Sequence, residues 1–189
     1  MQKLKQKILS EGRVIGNSVL KVDSFLNHQI DPKFMLEMGN ELAARFAGEG
    51  ITRILTVEAS GIAVALTTGL SLGVPVVFAK KGRASTQNNN IYSARIYSFT
   101  RQEAVDIFVS DKFLGPRDTV LIVDDFLAHG EALRGLLELV DRAGARLAGA
   151  GIVIEKVFQG GGAALRERGV RIESLAAIKS MSEECVEFI

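Results

Sequence analysis

Cysteine is nearly absent from this chain of 189 residues: the single one, Cys185, excludes an internal disulfide and fits a reducing compartment. Net charge is missing too. The 23 basic and 22 acidic residues leave a formal +1, so no global field points to nucleic acid or a membrane as partner. No apolar run approaches the roughly 20 residues that a membrane-crossing helix requires. The N-terminal stretch M-Q-K-L-K-Q-K-I-L-S-E-G has lysines without an apolar core behind them. That argues against a secretory signal and makes the cytoplasm the expected location. With two histidines and one cysteine no zinc cluster is expected, and neither G-x-x-x-x-G-K-[ST] nor G-x-G-x-x-G occurs.

What is present is ordinary for a globular protein: 47% apolar and 24% charged residues, in a length suited to one domain with a proper core. No internal repeat or linker divides it. Leu4 and Ile8 among charges predict a short N-terminal helix ending near Gly12, and Asp31-Pro32 reads as a capped helix start. Phe34, Met35, Met38, Leu42 and Phe46 then recur at helical spacing until Gly48. Strands are expected over 51–57, 74–79, 119–123, 147–154 and 170–178, and helices over 61–72, around Leu133 to Val140, and over 163–168. Segments 91–99 and 104–109 read as a hairpin, and 80–90 (K-K-G-R-A-S-T-Q-N-N-N) as an exposed, mobile loop. Apolar strands alternating with helices imply an α/β fold, a mostly parallel sheet covered on both faces.

In such a sheet, ligands bind outside the carboxyl ends of the strands. V-L-I-V-D-D-F-L-A-H-G-E-A, from Val120 to Ala132, places two adjacent acids where a buried strand is expected to end and a helix to begin. A lone acid there would read as a helix cap. Two acids before a loop of small residues suit a sugar phosphate. Backbone N–H groups at the helix N-terminus favour phosphate, Ala128, Gly130 and Ala132 let the backbone come close, and the carboxylates can accept from sugar hydroxyls. Glu58-Ala59-Ser60-Gly61 and Glu155-Lys156 mark two further strand ends. Gly160-Gly161-Gly162 lacks the lysine and hydroxyl of a nucleotide loop and reads as a flexible turn. His28 has no visible acid or nucleophile paired with it and reads as a surface or capping residue.

The 120–132 segment resembles the phosphoribosyl pyrophosphate motif of type I phosphoribosyltransferases. L-K-V-D-S-F-L-N-H-Q-I-D-P (20–32), E-A-S-G-I-A (58–63), L-G-V-P-V-V-F-A-K-K (72–81) and G-I-V-I-E-K-V-F-Q (151–159) resemble the bacterial xanthine branch. The resemblance implies the type I fold: a central, mostly parallel sheet flanked by helices, with a small hood built from about 1–32 and 155–189. It also implies a homodimer, and Mg²⁺ acting with phosphoribosyl pyrophosphate as co-substrate. Asp124 and Asp125 would be catalytic and could touch the metal. Ala128, His129, Gly130, Glu131, Ala132, Ser60, Gly61, Lys80 and Lys81 would bind phosphoribosyl pyrophosphate, with Arg83 a further cation. Leu20, Asn27, Lys156 and Phe158 would meet a 6-oxopurine, Phe158 being equally readable as a core aromatic.

The loop departs from the family pattern at His129 and Glu131, and an anionic Glu131 beside a phosphate requires its side chain to turn outward. Adenine-type relatives carry arginine where this chain has Ser60, so pyrophosphate must be neutralised from elsewhere. Two alternatives stay open. One is a hypoxanthine or guanine phosphoribosyltransferase. The other is a non-catalytic sensor of phosphoribosyl pyrophosphate, which would need a DNA-binding module that the first 50 residues do not suggest.

Overall fold

The computed structural model describes residues 1–82, 90–98 and 103–189. In chain order the elements are α1 (Gln2–Glu11), β1 (Arg13–Ile15), β2 (Val19–Lys21), a π-helical turn (Asp23–Asn27), α2 (Pro32–Arg45), β3 (Arg53–Val57), α3 (Gly61–Leu72) and β4 (Val76–Lys81). The hairpin β5 (Ile91–Ser98) and β6 (Glu103–Ser110) follows, then β7 (Thr119–Leu127), α4 (Glu131–Arg142), β8 (Arg146–Lys156), a 3₁₀ turn (Val157–Gln159), α5 (Gly161–Glu167), β9 (Ile172–Met181) and β10 (Val186–Phe188).

The large sheet has the order β10-β9-β8-β7-β3-β4-β6-β5. The five central strands are parallel, and β10, β6 and β5 join antiparallel at the two edges. Period-2 alternation in β7 explains why helices cover both faces. Leu121 and Val123 pack with α1, α2 and α3, whereas Val120 and Ile122 pack with α4. The α4 stripe Leu133, Leu136, Leu139 and Val140 is buried at helical spacing. Asp31 caps α2 as expected: its carboxylate accepts from the Phe34 N–H at 3.1 Å, and Pro32 occupies the first turn.

Several boundaries differ from expectation. The strand expected to stop at Val123 continues to Leu127, because β8 keeps pairing with it: Asp124 faces Ile152 and Leu127 faces Glu155 in register. The paired acids therefore lie inside a strand. β8 likewise runs through Glu155-Lys156, and α2 stops at Arg45 instead of near Gly48. Lys80 and Lys81, expected in a loop, end β4, which β6 holds by pairing Lys80 with Phe108. The remainder of that expected loop, 83–89 with Arg83, lies outside the described residues. The glycine triplet is the cap and first turn of α5. The β1–β2 hairpin and β10 were not foreseen, being strands of three residues each with little periodicity to read.

The chain's two ends meet. The Met1 ammonium donates to the Leu175 carbonyl, Lys5 Nζ to Ile189 O at 2.6 Å, and the Gly16 N–H to Glu183 Oε1 at 3.1 Å. Leu4, Ile8, Leu20 and Phe25 share one apolar core with Ile54 and Val123 of the sheet.

Candidate active site

Register opens the site. β7 pairs with β3 only as far as Ile122, but with β8 as far as Leu127. Beyond Ile122 the β3 side of β7 is free of strand pairing, and the N-terminus of α3 enters beside it. Gly61 makes this approach possible. A Cβ there would lie 2.7 Å from Asp124 Oδ1 and closer still to Thr56 Oγ1.

Asp124 and Asp125 are 5% and 6% exposed. The Asp125 N–H donates to Asp124 Oδ1 at 3.0 Å. Burial pushes the Asp124 carboxyl well above the usual carboxylate range, the Asp125 charge and a side-chain hydrogen bond with Asp125 push it further, and the Asp125 backbone N–H and, less, the Lys81 charge oppose them. Two acids so placed are poised for a cationic or hydrogen-bond-donating partner.

The loop 128–132 begins one residue after Leu127. Gly130 takes φ +86°, a conformation that favours glycine, and turns the chain into α4. The Glu131 carboxylate, expected to repel a phosphate, is ion-paired with Arg134, whose Nη1 also donates to the His129 carbonyl at 3.0 Å. Beneath the loop lies α5, with the Gly161 N–H donating to the Ala128 carbonyl at 3.2 Å. Residues 128–132 line a cavity of about 280 Å³ together with Lys81, Tyr97 and Phe126.

Of the cations, Lys81 reaches this cavity and Lys80 does not. Successive strand residues face opposite ways, and Lys80 lines a separate cavity with Arg53, Phe78 and Phe108. The Lys81 N–H donates to Glu58 Oε1 at 2.6 Å, tying the end of β4 to the turn that precedes α3. In that turn the Glu58–Ala59 peptide is cis and Ser60 is exposed at the helix cap.

Lys156, at the end of β8, donates to the Ser18 carbonyl at 2.7 Å, and its ammonium lies 5.3 Å from the centre of the Phe126 ring. Burial lowers its pKa. The β1–β2 turn is thereby held over the strand that carries the acids. Leu20 is buried in the core, so a ligand would meet its backbone, while Asn27 and Phe158 are exposed. His28 closes the π-helical turn, in keeping with a capping role.

Three residues escaped the sequence reading. Phe126 reads from the sequence only as an apolar residue between the acids and the loop, yet it lines the cavity and underlies Lys156. Arg134 stands three residues after Glu131, a spacing that could have revealed the ion pair. Gly161 had no readable signal, since its contact is with a loop more than 30 residues earlier. Among the described residues no group of three or more His, Cys, Asp or Glu could hold a metal ion, and no helix is long and apolar enough to cross a membrane.

A family model, the phosphoribosyl transferase domain, matches residues 35–171. The chain is 68% identical over 188 residues to xanthine phosphoribosyltransferase from Heliobacterium modesticaldum, covering 100% of both chains. It is 62% identical to the enzyme of that name from Moorella thermoacetica, covering 98% of this chain and 95% of that protein. Among solved structures it resembles adenine phosphoribosyltransferase from Saccharomyces cerevisiae, with TM-score 0.73, 21% identity, and coverage of 93% and 99%. At that identity the likeness speaks for the fold alone.

Proposed function

The chain belongs to the phosphoribosyltransferase family, and from that we propose the reaction for which its site is built: transfer of the 5-phosphoribosyl group from phosphoribosyl pyrophosphate to N9 of xanthine. The products are xanthosine 5′-monophosphate and pyrophosphate, a purine-salvage reaction of a pentosyltransferase. One observation carries the reading: a buried acid pair lies in register just before a glycine-turned loop that opens a helix, in a chain whose full-length relatives bear that enzyme's name.

The 5′-phosphate sits on the backbone N–H groups of 128–132, where the start of α4 favours an anion. Asp124 and Asp125 accept from the ribose hydroxyls and face the positive charge that develops on the sugar as pyrophosphate departs. Lys81, Ser60 and Gly61 border the pyrophosphate end. The adjacent buried carboxyls of Asp124 and Asp125 are oxygen donors of the kind Mg²⁺ takes, and Mg²⁺, held mainly by the substrate, would supply charge neutralisation of the leaving pyrophosphate.

Segments 1–32 and 155–189 act as a hood over the base. Lys156 donates to the purine 6-oxygen, Asn27 and the Leu20 backbone read the second oxygen, and Phe158 stacks. The chain works as a homodimer in the cytoplasm, and exposed Leu66, Leu70, Phe78 and Phe113 offer apolar surface for pairing. Lys80, on the opposite sheet face, then serves a partner's site and not its own.

A substrate panel tests the reading. Xanthine should be preferred, guanine and hypoxanthine should be poorer, and adenine should be inert, because the half-buried Lys156 ammonium would face a donor amine. Asn27→Ala should narrow the gap between xanthine and hypoxanthine with phosphoribosyl pyrophosphate affinity unchanged. Adenine turnover equal to that of xanthine would refute the role of Lys156.

A further inference from the structure

Glu155 is charged, 1% exposed, and has no part in the chemistry just described. In register it faces Leu127, the residue before the phosphate loop. Arg166 of α5 grips its carboxylate with both guanidinium nitrogens, Nη1 to Oε1 at 2.6 Å and Nη2 to Oε2 at 2.7 Å, and Ser174 Oγ donates to Oε2. Such two-point pairs fix direction as well as distance. Burial alone would raise the Glu155 pKa; the Arg166 and Ser174 hydrogen bonds outweigh it and bring it below its ordinary value.

The grip fixes the first turn of α5. At Gly162 a Cβ would lie 2.8 Å from Arg166 Nη1 and closer still to Glu155 Oε1, so only glycine lets the helix settle on the ion pair. At the neighbouring Gly161 a Cβ would lie 2.6 Å from the Gly130 nitrogen, and closer still to the Ala128 carbonyl oxygen and the His129 carbonyl carbon. Buried Leu165 of the same helix lies under Gly130. A continuous stack thus runs from Glu155 through Arg166 and the first turn of α5 to the backbone of 128–130.

We propose that Glu155 is a positioning residue for the phosphate loop, acting through Arg166 and the α5 glycines to hold the loop's N–H groups on the 5′-phosphate. The proposal rests on reading 128–132 as the phosphate cradle. It explains why a buried charge and two adjacent glycines occur together where an apolar contact would fill the space. Preorganised donors lose value quickly when displaced by a fraction of an ångström.

The test is steady-state kinetics with each substrate varied, on the wild-type protein and on Glu155→Gln, Arg166→Lys and Gly130→Ala. Glu155→Gln and Arg166→Lys should raise the KM for phosphoribosyl pyrophosphate on the order of tenfold and leave the KM for xanthine within about twofold. Gly130→Ala, which strikes the loop directly, should raise the former at least as much. If Gly130→Ala does so while Glu155→Gln and Arg166→Lys move both KM values together, or move neither, the positioning role is overturned. If Gly130→Ala leaves the phosphoribosyl pyrophosphate KM unchanged, the cradle reading itself falls and takes this inference with it. Should Glu155→Gln fail to fold, Arg166→Lys decides alone, because that side chain is 40% exposed and lysine keeps the charge while losing the two-point grip.

Discussion

Glu131 and Arg134 form an ion pair across the first turn of α4, and the same guanidinium donates to the His129 carbonyl at 3.0 Å. The arginine thus draws both an acidic side chain and a carbonyl dipole onto itself at the edge of the loop proposed to cradle the phosphate. Both side chains are about a third exposed, so the pair adds little to stability; its effect is local and electrostatic.

Arg134→Gln should therefore leave thermal stability within about 0.5 kcal/mol of wild type yet raise the KM for phosphoribosyl pyrophosphate several-fold. The rise should be larger at low ionic strength, where an unneutralised Glu131 is less screened. Adding Glu131→Gln should restore the value. An Arg134→Gln enzyme with unchanged KM in dilute buffer would show that Glu131 never faces the phosphate.

The acid pair makes stability depend on pH in a definite direction. Burial and the Asp125 charge raise the Asp124 pKa in the folded protein, so on raising the pH from about 4 the unfolded chain loses this proton first. Folding stability falls through that window and the penalty stays constant above the folded pKa. Asp124→Asn, which cannot ionise, should match wild type in melting temperature below about pH 4 and exceed it at neutral pH. The same variant should lose about 10²–10³-fold in turnover, as removal of a group facing transition-state charge typically does. Equal melting temperatures at neutral pH would refute the raised carboxyl.

Gly61 offers a steric test. A methyl group there meets Asp124 Oδ1 and Thr56 Oγ1 at distances real Cβ atoms do not show, and both neighbours are buried. Gly61→Ala should cost about 1–3 kcal/mol in urea unfolding. Turnover should drop on the order of tenfold or more, because Asp124 must shift. Full activity together with wild-type stability would mean that α3 approaches the acids less closely than described.

Much of this was legible beforehand because periodicity is a local property. The α3 boundaries read from the chain coincide with the observed helix, the segments expected at 91–99 and 104–109 pair antiparallel as β5 and β6 within the described residues, and Asp31-Pro32 starts a helix as its chemistry requires. The V-D-D motif announced the acids and the loop. Strand ends were less legible. Whether Asp124 ends a strand or continues it depends on whether β8 has a residue left to pair, and Ile152 is one. Lys80 and Lys81 are equivalent in composition, yet pairing with β6 extends β4 and sends them to different cavities.

By itself, then, the sequence determined the elements, their apolar faces and the residue types brought to the strand ends, since these follow from spacing along the chain. Only the tertiary structure decided the strand order that opens the sheet beside β7, the burial that raises Asp124, the turning of Lys156 toward Ser18, and the placing of Gly161 beneath the loop. These depend on contacts between residues far apart in sequence, 138 positions in the case of Lys156 and Ser18. No local pattern specifies such a contact. It forms because the whole core packs in one way.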